Sequence, residues 1–400
     1  MTRAYTLLPC IKRMRICGVI AEYDPLHNGH AWHLAEARRL SRADYVVCVM
    51  SGSFTQRGMP ALLSPHARAE MALRAGADLV LQPPVSFSMC EAERFARGGV
   101  EILRRLGADA LCCGAEPAGI PYIAEAAALL QQPTEAFRLR LRGLLDSGAS
   151  FAAAQGQALA EALDADPAVF AQPNTALAIC YARAILHLHA DMTLLSVPRS
   201  GDYHADSLEQ DALPSATAVR AACLRAEWDK VRAAVPGYAY DALRAAFEGG
   251  AYHPPTALNS LLRWTLRQEQ DFSRLPGLSE GLENRLGRAA DCLTREDMVF
   301  AVKSKRYPYA RVSRLLTHAL LGTEAAHLAP LPPHAYLLGF RGSASSLLKD
   351  VSSEDFTVYS HAPKAVANAE MALDIRADDL WNLGAGQPFG AIYREKPVML

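Results

Sequence analysis

Two histidines, His27 and His30, flank Asn28 and Gly29 near the end of the stretch Ile16-Cys-Gly-Val-Ile-Ala-Glu-Tyr-Asp-Pro-Leu-His-Asn-Gly-His30, which runs on into Ala31-Trp32-His33. The apolar run before them reads as a short strand, the middle as a tight turn, and the end as the first turn of a helix. A helix N-terminus attracts anions through its unpaired N–H groups and its dipole. Gly29 removes a side chain where a phosphate must approach closely. His27 and His30 are the candidate catalytic residues. Each can donate a hydrogen bond to phosphate oxygens as negative charge builds on a displaced pyrophosphate. An isolated H-x-G-H is incidental in many proteins; a buried strand before it and a helix after it give this one its meaning.

Three further stretches could serve such a site. Ser215-Ala-Thr-Ala-Val-Arg220 places Ser215 as a helix cap, Thr217 in the first turn and an arginine one turn in, a set suited to outer phosphates. The bland alternative is an ordinary capped helix. Ser51-Gly-Ser-Phe-Thr-Gln-Arg-Gly58 ends the second strand on the edge where ligands of open α/β sheets gather; it is a substrate loop or a plain connection. Val302-Lys-Ser-Lys-Arg-Tyr-Pro-Tyr-Ala-Arg-Val-Ser-Arg314 interleaves five basic residues with two tyrosines and no acid. That mixture suits RNA, whose phosphates take the charges and whose bases stack on rings, although charged runs are often only solvated surface. Lys303, Lys305, Arg306, Tyr307 and Arg311 are its candidate RNA-binding residues.

The elements that position these residues follow from hydrophobic patterning. Strands are expected over Met14–Ala21, Tyr45–Met50, Ala77–Leu81, Ala110–Cys113 and Met192–Val197. Helices are expected over Gly29–Leu40, Pro65–Ala75 and Cys90–Leu106, through an alanine-rich region from Ile120 to Leu188, and from Pro214 to Ala234 as one helix. Alternating strands and helices at this spacing mean βαβ units and a parallel sheet. A boundary near Pro236 gives a first domain over residues 14–236 and a mainly helical region over 237–400. Tyr336–Arg341 and Met371–Leu383 are mixed in pattern. The first thirteen residues read as a loose extension, and Met14 as an alternative start.

Bulk properties limit the alternatives. The 400 residues suit two or three domains, and 50% of them are apolar. A net charge of −1 supplies no global field for nucleic acid, so an RNA surface must be local. DNA is not an expected partner. Nine scattered cysteines without a C-x-x-C pair indicate reduced thiols, a cytoplasmic setting and no zinc knuckle. No run is long enough to span a membrane.

Gly18-Val-Ile-Ala-Glu-Tyr-Asp-Pro-Leu-His-Asn-Gly-His30 resembles the signature of bacterial tRNA(Met) cytidine acetate ligases, members of the HIGH-type nucleotidyltransferase superfamily. The resemblance extends through Ser51–Gly58, Gly76–Val80, Cys113–Glu116, Pro173-Asn174, Pro198–Gly201 and Ser215–Arg220. It continues in Glu280–Leu286, Lys305–Tyr307 and Asp374–Asp378, and so covers nearly all of the chain after Met14. It implies an α/β fold, with a Rossmann-like nucleotidyltransferase domain followed by a helical C-terminal RNA-binding region. It implies a ligase that joins ATP and acetate as acetyl-adenylate, then acetylates N4 of the wobble cytidine of elongator tRNA(Met). The family's ATP contacts carry over to Ile20, Ala21, Glu22, Tyr23, Asp24, Pro25, Leu26, His27, Asn28, Gly29, His30, Ala31, Trp32 and His33, and to Gly114, Asn174 and Arg199. Ser215 and Thr217 join them from the residue argument above. Mg2+ is expected as counter-charge to the phosphates, with no carboxylate cluster to mark its ligands.

Asp24 stands where the family usually has asparagine, and a carboxylate beside ATP calls for a facing cation or the ribose hydroxyls. Gln82 replaces a usual glutamate, and Leu26 and Trp32 vary the pattern. Two other functions fit the motifs less fully: an adenylyltransferase acting on a small phosphorylated metabolite, which has no use for the basic segment, and an inactive RNA-binding relative.

Overall fold

The computed structural model describes residues 15–199, 214–269, 271–279, 281–304, 307–349, 351–361, 363 and 365–400. Lys305, Arg306 and the N-terminal extension lie outside these. The βαβ series begins with β1 (Ile16–Ala21), α1 (Asn28–Ser41), β2 (Tyr45–Met50), α2 (Pro65–Arg74), β3 (Leu79–Gln82), the short α3 (Val85–Ser88), α4 (Ala92–Arg105) and β4 (Ala110–Ala115). The alanine-rich region forms α5 (Ile123–Gln131), α6 (Glu135–Asp146), α7 (Phe151–Ala162), α8 (Pro167–Ala171) and α9 (Pro173–His187), and β5 (Thr193–Pro198) follows.

Strand β1 pairs in parallel with β2 and β4, β2 with β3, and β4 with β5. The expected parallel sheet with flanking helices is therefore present. Strand β5 at the sheet edge carries Thr193 and Ser196 and is only partly buried, whereas β1, β2 and β4 are apolar because both faces are covered. Alternation along β2 divides them: Val47 and Val49 enter one core with Phe95, Val100 and Leu103 of α4, while Val46, Cys48 and Met50 enter the other with Leu34 of α1 and Met71 of α2. The described cysteines are free.

The helix expected from Pro214 to Ala234 is two helices, α10 (Ala216–Leu224) and α11 (Trp228–Ala234). Ala226 between them adopts a left-handed backbone with φ of 59°, and Glu227 N–H returns to the Ala222 carbonyl. That closes the first helix by the usual left-handed C-terminal geometry, without the glycine that would have marked it.

Beyond α12 (Gly237–Glu248), helices α13 (Asn259–Gln268), α14 (Glu283–Ala289), α15 (Arg295–Val302) and α16 (Tyr309–Leu321) enclose a core of their own, with Leu262, Leu286, Met298 and Leu315. The chain then returns to the sheet. The mixed stretch near Tyr336 is β6 (His334–Phe340), antiparallel to β3, with β7 (Thr357–Tyr359) and β8 (Val398–Met399) parallel to β6. The strand order is β5-β4-β1-β2-β3-β6-β7, with β8 also on β6. Helices α17 (Ala369–Gly384) and α18 (Ala391–Arg394) complete the chain. Trp381 of α17 is buried and donates its indole N–H to the Ala61 carbonyl at 2.7 Å.

One buried cation ties the loops at the sheet's carboxyl edge. Arg68 of α2 is fully buried. It donates to the carbonyls of Glu22 (2.7 Å), Ser51 (3.0 Å) and Leu63 (3.1 Å), and also to that of Gly52. Arg68→Met keeps the bulk but strands these acceptors, at roughly 1–3 kcal/mol for each left unpaired. We expect the urea unfolding midpoint to fall by an amount worth about 3 kcal/mol or more; an unchanged midpoint contradicts this role.

Candidate active site

The loop after β1, the start of α1, residues 55–62, the ends of β4 and β5, and the start of α10 surround a cavity of about 350 Å3. It lies at the carboxyl edge of the parallel strands, where the strand order reverses between β1 and its neighbours β2 and β4. His27, Gly29, His30, Trp32 and His33 line it, as do Gly114, Asn174, Arg199, Ser215 and Thr217. The structure thus gathers most of the sequence-selected residues from five separate segments, while Pro25, Asn28 and Ala31 are not among the residues lining the cavity. Leu26 is instead buried in the core between α1 and the sheet.

His27 is the N-cap residue of α1. Its ring stacks on that of His30 at 3.6 Å between centroids. The backbone N–H of His27 donates to His30 Nδ1 at 3.3 Å. A neutral His30 that accepts at Nδ1 must carry its proton on Nε2, which is the donor left for a ligand. The His27 ring closes a capping box towards the His30 backbone N–H, but neither of its ring nitrogens makes a hydrogen bond of full geometry, and His33 Nε2 is buried without a partner. Buried polar atoms are normally paired, so these orphans at a cavity wall fit a polar ligand. Asn28 anchors the turn by donating to the Ala233 carbonyl at 3.0 Å.

Burial, with the Arg199 charge second, brings the His27 imidazole down to about 3 and His33 to about 4. His30 lies well below its ordinary value, from burial first and then the neighbouring His27, Arg199 and His33. The histidines therefore meet a ligand as neutral donors, and the cations of the site are arginines.

Asp24 has the facing cation that its charge demands. Its Oδ2 lies 3.2 Å from Arg220 Nη1, and Oδ1 accepts the Leu62 N–H at 2.7 Å. Arg220 also donates to the Asp24 carbonyl and to Thr217 Oγ1, the latter at 3.1 Å. Arg220 thus holds Asp24 while itself lining the cavity. Ser215 caps α10 as expected, accepting the Ala218 N–H at 3.0 Å.

Asn174 is engaged at both ends of its amide. Nδ2 donates to Glu116 Oε1 at 2.7 Å, and Oδ1 accepts from Arg199 at 3.3 Å. Glu116 also accepts both the N–H and the hydroxyl of Thr175, so this carboxylate caps α9 and aims Asn174 at Arg199. The motif residue Glu116 carried no role in the sequence, because the contact spans 58 positions. His253, another cavity residue, was missed outright. A lone histidine in a loop gives no signal; here its backbone N–H donates to the Leu62 carbonyl at 2.9 Å.

The loop over residues 51–58 does face the cavity, through Thr55, Gln56 and Arg57. It is gripped from behind by the C-terminal helices. Gly58 has a φ of 78°, and a Cβ there would lie 2.8 Å from the Arg314 backbone, so only glycine fits this contact. The Gly58 carbonyl accepts from Arg295 at 2.8 Å and from Thr317 at 2.5 Å. Arg314 donates to the Gln56 carbonyl at 3.3 Å.

The basic segment is partly reassigned. Tyr307 is buried in the helical core and offers no ring for base stacking, contrary to expectation. Arg314 points inward to the loop. Lys303 is exposed beside the Phe300 ring, and Arg311 lies over Tyr307 while donating to the Gly277 carbonyl at 2.8 Å. Among the described residues, no group of three or more His, Cys, Asp or Glu side chains could hold a metal, and no helix is long and apolar enough to cross a membrane.

The depressed histidines make stability depend on pH. Above 6.5 they are neutral in both states. As pH falls from there towards 3–4, only the unfolded chain takes up the protons, so stability falls across that window. His66 and His253, both near 4, and His318, near 3, add to the same trend. Thermal unfolding should show a lower midpoint at pH 4.5 than at pH 7. Replacing His27 and His33 by glutamine should reduce the difference; a difference unaltered by that pair contradicts these protonation states.

The sequence profile of the HIGH nucleotidyl transferase family matches residues 14–390. The tRNA(Met) cytidine acetate ligase of Acetivibrio thermocellus is 33% identical, the match covering 92% of this chain and 94% of that protein. That of Halalkalibacterium halodurans is 35% identical over 91% of each. The crystal structure of apo Thermotoga maritima TmcAL superposes with a TM-score of 0.89 at 26% identity, over 97% of this chain and 100% of that one. The same protein bound to alpha-thio ATP gives 0.85 at 25% identity with the same coverage. By sequence and by fold, the chain belongs to the tRNA(Met) cytidine acetate ligase family of HIGH nucleotidyltransferases.

Proposed function

We propose that the protein activates acetate with ATP and transfers the acetyl group to N4 of the wobble cytidine of elongator tRNA(Met), forming N4-acetylcytidine. The observation that carries this reading is the junction at the cavity. One wall is the His27–His30 loop with its orphaned ring nitrogens, and the opposite wall is a loop gripped by helices of the C-terminal region. A relative of known structure binds an ATP analogue, and the relatives' names supply the acetate and the tRNA.

The residues divide the work as follows. ATP occupies the cavity with its phosphates at the α1 N-terminus. His27 and His30 donate from neutral rings to the phosphate oxygens, and Arg199, held by Asn174, supplies positive charge as pyrophosphate departs. Gly114 offers bare backbone to the nucleoside. Acetate is a poor electrophile, and adenylation gives its carbonyl a good leaving group for attack by a weakly nucleophilic aromatic amine. Mg2+ would be held on the phosphate oxygens of ATP and would supply counter-charge there; no group of three or more His, Cys, Asp or Glu side chains among the described residues could hold it. Residues 14–236 carry the nucleotide chemistry. Residues 237–400 present the tRNA through Lys303, Lys305, Arg306 and Arg311, in the cytoplasm.

The test is incubation of purified protein with ATP, labelled acetate and tRNA transcripts, followed by nucleoside analysis. Label should enter elongator tRNA(Met) as N4-acetylcytidine; pyrophosphate release driven only by a phosphorylated metabolite refutes the proposal. His30→Ala should lower adenylate formation by a factor of 100 or more, in the range for a lost transition-state donor, while tRNA affinity stays near wild type. Lys305→Ala with Arg306→Ala should weaken tRNA binding and flatten its salt dependence, while acetate-dependent pyrophosphate release persists. Unchanged affinity in that pair removes the segment from the RNA surface.

A further inference from the structure

We propose that Glu22 accepts the proton of the attacking amine in the acetyl-transfer step. The inference rests on the acetate-ligase reading above and assigns a residue to its second half. The cavity lining contains two carboxylates, Glu22 and Asp24. Asp24 is spent on the Leu62 N–H and Arg220. Glu22 follows the last residue of β1, and only its Oε1 is engaged, by the Gln56 N–H at 2.5 Å. Oε2 has no hydrogen bond among the described residues, and the residue lines the cavity. It is therefore an anchored carboxylate with one oxygen left for a ligand.

The other candidate bases are disposed differently. His27 and His30 form the phosphate end of the cavity. His253 Nε2 is packed against Gly384, where a Cβ would lie 2.0 Å from it, so that nitrogen is sealed from a substrate. Glu22 instead shares a wall with Gln56, on the loop that Arg295, Thr317 and Arg314 grip from the C-terminal region. The element that presents the RNA thus also sets the position of this carboxylate.

The step balances as follows. The N4 lone pair bonds to the acetyl carbonyl carbon. The bond from that carbon to the AMP phosphate oxygen breaks, and its electron pair leaves on AMP. The N4 proton passes to Glu22 Oε2 and then to solvent. Attack by an aromatic amine creates a strongly acidic N–H, so a positioned base prevents reversal. Burial holds the Glu22 carboxyl above its ordinary range, with Asp24 adding to the rise and the Gln56 N–H, Arg220 and Arg57 opposing it. Arg68 of α2 also faces it. A raised carboxyl is a better proton acceptor than an ordinary one.

The experiment separates the half-reactions in the full-length enzyme. The first readout is acetate-dependent exchange of labelled pyrophosphate into ATP. The second is single-turnover transfer from synthetic acetyl-adenylate to elongator tRNA(Met) across a pH series. Glu22→Gln keeps an acceptor for the Gln56 N–H. It should slow transfer by roughly 100-fold or more, the range for a lost general base, and exchange by far less. Wild-type transfer should rise with pH along an acid limb, and Glu22→Asp should retain that limb. Equal losses in both half-reactions, transfer within a few-fold of wild type in Glu22→Gln, or a flat wild-type profile each overturn the assignment. A wild-type enzyme that moves no acetyl group from acetyl-adenylate to tRNA instead refutes the parent reading. If Glu22→Gln does not fold, selective loss of transfer in Glu22→Asp supports the assignment, and equal loss in both half-reactions overturns it.

Discussion

The constraint on which the rest of the site depends is the placement of a guanidinium where there is almost no water. Arg68 is fully buried, and a charge there is tolerated only if nearly every donor finds an acceptor. The carbonyls that satisfy it belong to the turns ending β1 and β2 and to the chain entering α2. Satisfying Arg68 therefore fixes both carboxyl-edge loops at once. The carboxylates of Asp24, Glu22 and Asp378 surround it and favour its charged form. Their own placement is reciprocal: Asp24 reaches out to Arg220, and Asp378 accepts from Ser53 at 2.6 Å. A buried cation thus organises a cavity whose ligand is anionic without itself facing that ligand.

The second dependence runs from the helical layer to the catalytic edge. Arg295 is buried and turns one guanidinium nitrogen, Nη2, towards Gly58, Ser313 and Thr317. Gly58 could be no other residue at that approach. Displacing the helices that carry Arg295 and Arg314 would displace Gln56, and with it the hydrogen bond to Glu22. The C-terminal helices and the sheet edge are mechanically joined by contacts between residues more than 230 positions apart in the chain.

Much of this was legible from local pattern. The alternation of apolar runs with helical periodicity located the five parallel strands, and the strand–turn–helix context of His27 and His30 located the cavity. Ser215 was recognisable as a cap because capping is a contact over three residues. What was hidden depends on long-range partners. Pro-His-Ala-Arg-Ala-Glu around Arg68 looks like an ordinary helix start, and nothing local says that its arginine is buried. His-Ala-Tyr-Leu-Leu-Gly-Phe in β6 is a short apolar run whose strand state is set by pairing with β3. Tyr307 in a basic run looks solvent-facing, yet it fills the core between α14 and α16. The break at Ala226 lacks the glycine that announces most left-handed caps. Asp24 was legible as a problem, a carboxylate in need of a cation, while the identity of that cation, Arg220, required the fold.

The proposed reaction requires that the neutral-histidine, arginine-lined cavity activate a carboxylate by adenylation before any RNA is engaged. The most direct measurement is exchange of labelled pyrophosphate into ATP, with and without acetate, in the absence of tRNA. Exchange should require acetate and proceed without tRNA. Exchange that ignores acetate, or that needs a phosphorylated small molecule in its place, would contradict it.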